Sequence, residues 1–233
     1  MAEVSGQRSE VILVCAVDYI TGKVLLNQLV QPDEPVHDWR TKIHGITESM
    51  IKNAVSHGHA VSGWAAARAK LWQLVNQDTI LIGHALEHDL DVLRMIHTRV
   101  VDSSILTRNK VGIQRVRWGL QKLCKELLEL KIRDNKEGVH NGLEDVLATR
   151  KLVLWCIQNK ADFGAWASVK RSELNQEAMR KKNKKKPRKP KVRPISDNED
   201  DYETNDREIL RWSDIAEDCG WPHPDTGYDP WSD

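Results

Sequence analysis

Thr79-Ile-Leu-Ile-Gly-His-Ala-Leu-Glu-His-Asp-Leu-Asp-Val-Leu-Arg-Met-Ile-His97 is the stretch on which the fold turns. Thr79 to Ile82 reads as a buried strand, Gly83-His84 as a turn, and a helix follows from Leu86. On a helical wheel Leu86, Leu90, Leu93 and Ile96 share one face. Asp89 falls inside that apolar arc, while Glu87, His88 and Asp91 point elsewhere. A carboxylate among leucines needs a cation, an arginine or a helix N-terminus to meet it, or else lies at the edge of the stripe and reaches water.

A second segment, His140-Asn-Gly-Leu-Glu-Asp145, opens another helix. Asn141 with Glu144 three residues on forms a helix-start pair of the capping-box kind. His140 then stands just outside the helix and Asp145 in its first turn. A loop histidine over a first-turn carboxylate suits a base that activates water beside a metal. The blander reading is a cap with an incidental histidine.

Outward from these, the chain alternates. Glu10–Asp18 and Lys23–Val30 are strands joined at Thr21-Gly22, a hairpin that Pro32 and Pro35 end. An irregular segment follows, and Thr47 caps a short helix to Asn53. Val55 to Gly63 reads as a solvated loop containing His57-Gly-His59. Ser62–Asn76 is a helix with Trp64, Ala67, Leu71, Leu74 and Val75 inward. Arg99–Ser103 is a short strand. The loop from Thr107 to Arg117 carries Arg108, Lys110, Arg115 and Arg117, which could steer a phosphate backbone or simply be solvated. Leu120–Leu130 is a helix, and the last core helix buries Leu143, Val146, Leu147, Leu154 and Ile157. Strands alternating with helices argue for an α/β mixed sheet flanked by helices.

Charge is segregated. The whole chain sums to +1, but residues 180–193 carry +10 with no acid and residues 194–233 carry −11. This divides the chain into a core at 1–160, a helical extension at 161–179, a basic linker at 180–193 and an acidic tail at 194–233. The basic run, with Lys184, Lys185 and Lys186 at its centre, cannot build a core; it reads as disordered, and as a nuclear localisation signal or an RNA tether. The tail holds Trp212, Trp221 and Trp231 among acids and prolines and reads as a docking segment for a protein partner. Four cysteines without metal spacing read as reduced thiols. No apolar run approaches the roughly 18 residues of a membrane span.

Gly83-His84-Ala85-Leu86 with Asp89-Leu90, then Val101-Asp102-Ser103-Ser104, then His140 with Asp145, resembles the DEDDh 3′–5′ exonucleases. The resemblance is strongest to eukaryotic RNA exonucleases of the rRNA-processing and interferon-stimulated type. Arg40-Thr-Lys-Ile-His-Gly-Ile-Thr47 resembles the segment before that group's first helix. The likeness covers Val11 to Ile157. It implies an RNase H-like fold and two Mg²⁺ or Mn²⁺ ions held partly by Asp89 and Asp145. It also implies His140 as the base, single-stranded RNA or possibly DNA as substrate, RNA processing as the role, and the nucleus or nucleolus as the location.

The family's first motif, an Asp-x-Glu on a central first strand, has no counterpart in this sequence. The chain as written is therefore expected to lack two carboxylates and the strand between Glu10–Asp18 and Thr79–Ile82, and to be impaired or inactive. A start placed too late is the favoured explanation, and a non-catalytic RNA-binding adaptor on the same fold is the alternative. A third reading, a metalloprotease on His84-Ala-Leu-Glu-His88, requires both histidines on one helix face.

Overall fold

The structure, a computed structural model, describes residues 1–134 and 138–184. The expected hairpin is present: β3 (Leu13–Val17) pairs antiparallel with β4 (Val24–Gln31). Asp18 closes its turn by accepting from the Thr21 N–H at 2.7 Å and the Thr21 hydroxyl at 2.6 Å. Gly22 supplies the positive φ of +77° that the turn needs. β4 also pairs, in parallel, with β6 (Ala60–Ser62). The segment from Val55 to Gly63 is thus not all loop, because Ala60-Val61 finds an open edge on β4.

Two further sheets complete the strand inventory among the described residues. β1 (Ala2–Val4) lies between β2 (Ser9–Glu10) and β5 (Val36–Asp38), antiparallel to both. β7 (Leu81–Gly83) runs parallel to β8 (Val100–Asp102), with Gly83 opposite Asp102. β3 and β7 each end their sheet, and no described strand joins them. The helix α7 (Gly142–Gln158) lies against both. Its Arg150 ties it to the hairpin by donating to the carbonyls of Tyr19 and Ile20 at 2.7 Å each.

The helices in order are α1 (Thr41–His44), α2 (Glu48–Ser56), α3 (Gly63–Trp72), α4 (Glu87–Val92), α5 (Ser103–Val111), α6 (Leu120–Leu128), α7 and α8 (Lys160–Lys184). Thr47 caps α2 as expected, accepting from the Met50 N–H. Several sequence expectations fail for local reasons, among them the inward Leu74, which lies past the end of α3 and is exposed. Helix α4 stops at Val92 because Arg94 turns left-handed at φ +49°, so Ile96 is 91% exposed rather than inward. Residues 107–111 are helix rather than loop, because Asp102 caps α5. The buried positions of α7 are Ala148, Thr149, Leu152, Val153 and Cys156, and Ile157 is exposed. Helix α7 is apolar on more than one side, so periodicity alone does not choose its inward face.

The largest apolar cluster joins α5 through α8 around Val111, Leu123, Cys124, Leu152 and Phe163. A second joins the hairpin to α3 and the end of α4, and a third gathers Ala2, Ile12, Ile46 and Ile51. Cys15, Cys124 and Cys156 carry free thiols, pushed by burial up to about 11; Cys219 lies outside the described residues. Among the described residues no helix is long and apolar enough to cross a membrane.

Helix α8 covers the expected extension and runs on to Lys184, so residues 180–184 of the basic run are helical rather than disordered; it packs into the first cluster through buried Phe163 and Ala167. Phe163 stacks on Trp166 at 6.0 Å and meets Trp155 edge-on at 6.4 Å. Lys170 reaches Glu126 of α6 at 3.2 Å, and Arg171 donates to the Val111 carbonyl at 2.6 Å. Phe163→Ala should therefore cost about 3–5 kcal/mol in urea unfolding. A change under about 1 kcal/mol would show α8 to be an appendage.

Candidate active site

The site is positioned by one buried carboxylate. Asp102 ends β8, and its Oδ1 accepts from Ser104 N (2.8 Å), Ser104 Oγ (2.6 Å) and Ile105 N (3.3 Å), which caps α5. The same carboxylate reaches across to the turn after β7. Oδ1 accepts from Ala85 N at 3.2 Å and Oδ2 from Leu86 N at 2.7 Å. Ala85 has φ +55°, and a Cβ on Gly83 would stand 2.7 Å from Leu86 Cδ1, so the turn is tight and strained. Asp102 thereby sets where α4, and with it Asp89, begins. Burial alone would raise the Asp102 carboxyl, but the hydrogen bonds from Ser104, Leu86 and Ala85 outweigh it and hold it below the usual range.

His84 donates or accepts at Ser103 Oγ, 2.9 Å from its Nδ1, and stands before α4. His88 is exposed on α4 beside Glu87. The two histidines do not share a helix face, which removes the metalloprotease reading.

Asp89 reaches solvent and forms no hydrogen bond or ion pair with another side chain among the described residues. Crowding by protein raises its carboxyl, while the Met1 amino group and His88 pull the other way. His140 is held by its own N–H, which donates to the Ile43 carbonyl at 2.7 Å. Its Nδ1 lies 3.4 Å from Asp145 Oδ2. Burial, then the nearby Arg133, lowers the His140 imidazole, and Asp145 opposes them. Asn141 caps α7 through Leu143 N and Glu144 N at 3.0 and 3.2 Å. Glu144 does not close the capping box; it accepts from the Arg133 backbone N–H at 3.0 Å.

The structure thus joins His140 to Asp145, and the Met1 amino group acts on both Asp89 and His140. Arg133, which no sequence signal marked, forks onto Asp145 with Nε 3.1 Å from Oδ1 and Nη2 2.8 Å from Oδ2. Beside this pair a cavity of about 490 Å³ is lined by the apolar Leu13, Leu29, Ile46 and Val139 and the polar Asn27, His44, His59, His140 and Asn141. His44 Nδ1 accepts from Ile46 N at 3.1 Å, and its buried Nε2 has no partner. Burial, then the Met1 amino group, lowers its imidazole.

Of the four cations between residues 107 and 117, Arg108 and Lys110 lie on α5 and Arg115 and Arg117 follow it. Arg117 pairs with Glu87. Lys110 lies 5.6 Å over the Phe163 ring. Arg108 has a buried Nε without a partner. Arg115 is exposed and influences Glu177 on α8. Lys184 closes α8, while Lys185, Lys186 and the tail at 194–233 lie outside the described residues.

A family model described as exonuclease, that of RNase T, matches residues 1–153. The chain belongs to this exonuclease family. Small RNA degrading nuclease 2 of Arabidopsis thaliana is 38% identical over 178 residues, covering 74% of this chain and 35% of the relative. RNA exonuclease 3 of Candida albicans is 33% identical, covering 65% and 35%. The chain thus spans about a third of the length of these relatives. The Pan2 exonuclease module of Saccharomyces cerevisiae in complex with A7 RNA superposes with a TM-score of 0.60 at 16% identity, covering 80% of this chain and 31% of that one. The Pan2 catalytic unit of Neurospora crassa gives 0.57 at 22%, covering 66% and 25%. The fold is RNase H-like.

Exonucleases of this fold generally use divalent metal ions. Among the described residues no group of three His, Cys, Asp or Glu side chains gathers, and both oxygens of Asp145 are taken by Arg133. As they stand, these residues do not form a cage for such ions.

Asp102→Ala should destabilise the protein by about 3 kcal/mol at pH 7, combining a lost cap with orphaned N–H groups at Ala85 and Leu86. Because the folded carboxyl is lowered, its contribution is complete above the unfolded value near ~3.9 and is lost as pH falls through the folded value. Urea unfolding of both proteins from neutral pH downward should show the gap closing below about pH 4. A pH-independent gap would contradict this role.

Proposed function

We propose that the protein is a 3′–5′ exonuclease that hydrolyses single-stranded RNA in RNA processing, with Mg²⁺ or Mn²⁺ as cofactor in a two-metal mechanism. The observation that carries this reading is the His140–Asp145 pair, whose histidine lines a cavity of about 490 Å³. In it the cavity receives the 3′-terminal nucleotide. His140, neutral because burial lowers it, takes the proton of the attacking water. Asp145 orients that imidazole, and Asp89 and Asp145 are the carboxylates assigned to the ions. Such ions, whose access to Asp145 Arg133 opposes, would ease formation of hydroxide and stabilise the leaving oxygen. The basic run at 180–193, including Lys184, Lys185 and Lys186, tethers RNA and directs the protein to the nucleus or nucleolus. The acidic tail takes a protein partner.

None of the described strands carries an Asp-x-Glu, and we propose that catalysis by these residues alone is impaired on that account. A second reading, an inactive RNA-binding adaptor on the same fold, is favoured by one observation: Arg133 already neutralises Asp145.

The test is a gel assay with 5′-labelled single-stranded RNA and a matching DNA. The chain as given should give no Mg²⁺-dependent ladder. A version with an Asp-x-Glu strand fused ahead of Ala2 should trim RNA, and His140→Ala in that version should slow it by about 10²–10⁴-fold. Absence of trimming in the fused version would favour the adaptor. Robust trimming by the chain as given would refute the impairment.

Salt dependence tests the tether separately. Deleting 180–193 should flatten the slope of log K against log salt, which runs near −0.7 per neutralised phosphate for single strands. An unchanged slope would reduce the run to a solubilising one.

A further inference from the structure

Asp145 stands in the first turn of α7 with 22% of its side chain exposed, and the cation that neutralises it comes from the turn after α6. The Arg133 guanidinium, 15% exposed, approaches edge-on, so that each carboxylate oxygen receives its own N–H. The Arg133 backbone N–H also holds Glu144, so one residue clamps both first-turn carboxylates of α7. It does so at φ +58°, a left-handed conformation that residues with a side chain rarely adopt. His140 meets the same Oδ2 that Arg133 Nη2 takes. Of the roughly four in-plane lone-pair directions of Asp145, the fork takes one on each oxygen and His140 faces a second on Oδ2.

We propose that Arg133 is the resident counter-cation of Asp145, and that its guanidinium and a divalent metal ion compete for the carboxylate. This rests on the exonuclease reading only for the identity of the competitor. Arg133 is then a positioning residue: it keeps Asp145 aimed at His140 when no ion is present, and an ion that takes a direction the fork holds must displace it. The turn that carries it is clamped to α7 through Asp145 and Glu144, so displacement frees that turn as well. A clamp of purely structural purpose would contribute the same stability whether or not divalent ions were present.

The experiment measures melting temperature of the full chain in chelator and across a MnCl₂ titration, for wild type, Arg133→Gln, Arg133→Lys and Arg133→Gln with Asp145→Asn. In chelator, Arg133→Gln should melt below wild type, because Asp145 loses its cation. Mn²⁺ should raise the melting temperature of Arg133→Gln, with an apparent affinity at least about tenfold tighter than any response of wild type. Adding Asp145→Asn should abolish that response. Arg133→Lys, which keeps the charge but cannot fork, should fall between wild type and Arg133→Gln. It carries the comparison if Arg133→Gln does not fold. Equal Mn²⁺ responses in wild type and the Arg133 variants, whether present or absent, would overturn the proposal. So would a response that survives Asp145→Asn. No RNA is present, so loss of the exonuclease reading would leave this result standing, and the reverse holds too.

Discussion

The Asp102 carboxylate is the constraint on which the site depends. One side chain caps α5 and, on its other side, satisfies the two N–H groups of the strained turn that launches α4. The parallel pairing of β7 with β8 puts it there, by setting Asp102 opposite Gly83. Two strand-to-helix junctions are thereby locked to each other rather than placed independently. The direction of α4, and the point where Asp89 leaves the backbone, follow from that lock.

The other half of the site is set by α7. Its N-terminus is seated against the hairpin, where a Cβ on Gly142 would come within 2.8 Å of Leu13 Cδ2, and its middle is tied to the hairpin turn by Arg150. His140 and Asp145 flank this anchored end, so the seating of α7 on the hairpin sets where the pair stands. What sits on Asp145 is an arginine. Arg133 supplies the opposite charge from within the chain itself. The same contact separates the two readings of the protein, since a guanidinium can serve as a placeholder or as a permanent plug.

The alternation of strands and helices, the hairpin and the caps at Thr47 and Asn141 were legible because each has a local signature: period, turn residues or a side-chain cap. The pairing of His140 with Asp145 was legible for the same reason, being set by one helix start. Other features depended on distant partners. Val61 became a strand only because β4 had a free edge. Ile96 was assigned inward because periodicity runs past the point where Arg94 breaks the helix. Asp102-Ser103-Ser104 carries the look of a helix cap, and that cue could have found α5 in place of the supposed loop. Arg133 carried no cue at all: its partners Glu144 and Asp145 lie more than ten residues away, and an arginine in a turn usually faces water.

The central claim is that the cavity beside His140 receives the 3′ end of single-stranded RNA. NMR of histidine-labelled protein tests it most directly, because His44 and His140 both border the cavity whether or not catalysis occurs. Titration with a short single-stranded RNA ending in a free 3′-hydroxyl should shift the imidazole signals of His44 and His140 and leave exposed His88 unmoved. The same RNA blocked by a 3′-phosphate should shift them far less. Equal shifts with both RNAs, or shifts confined to residues away from the cavity, would contradict the account.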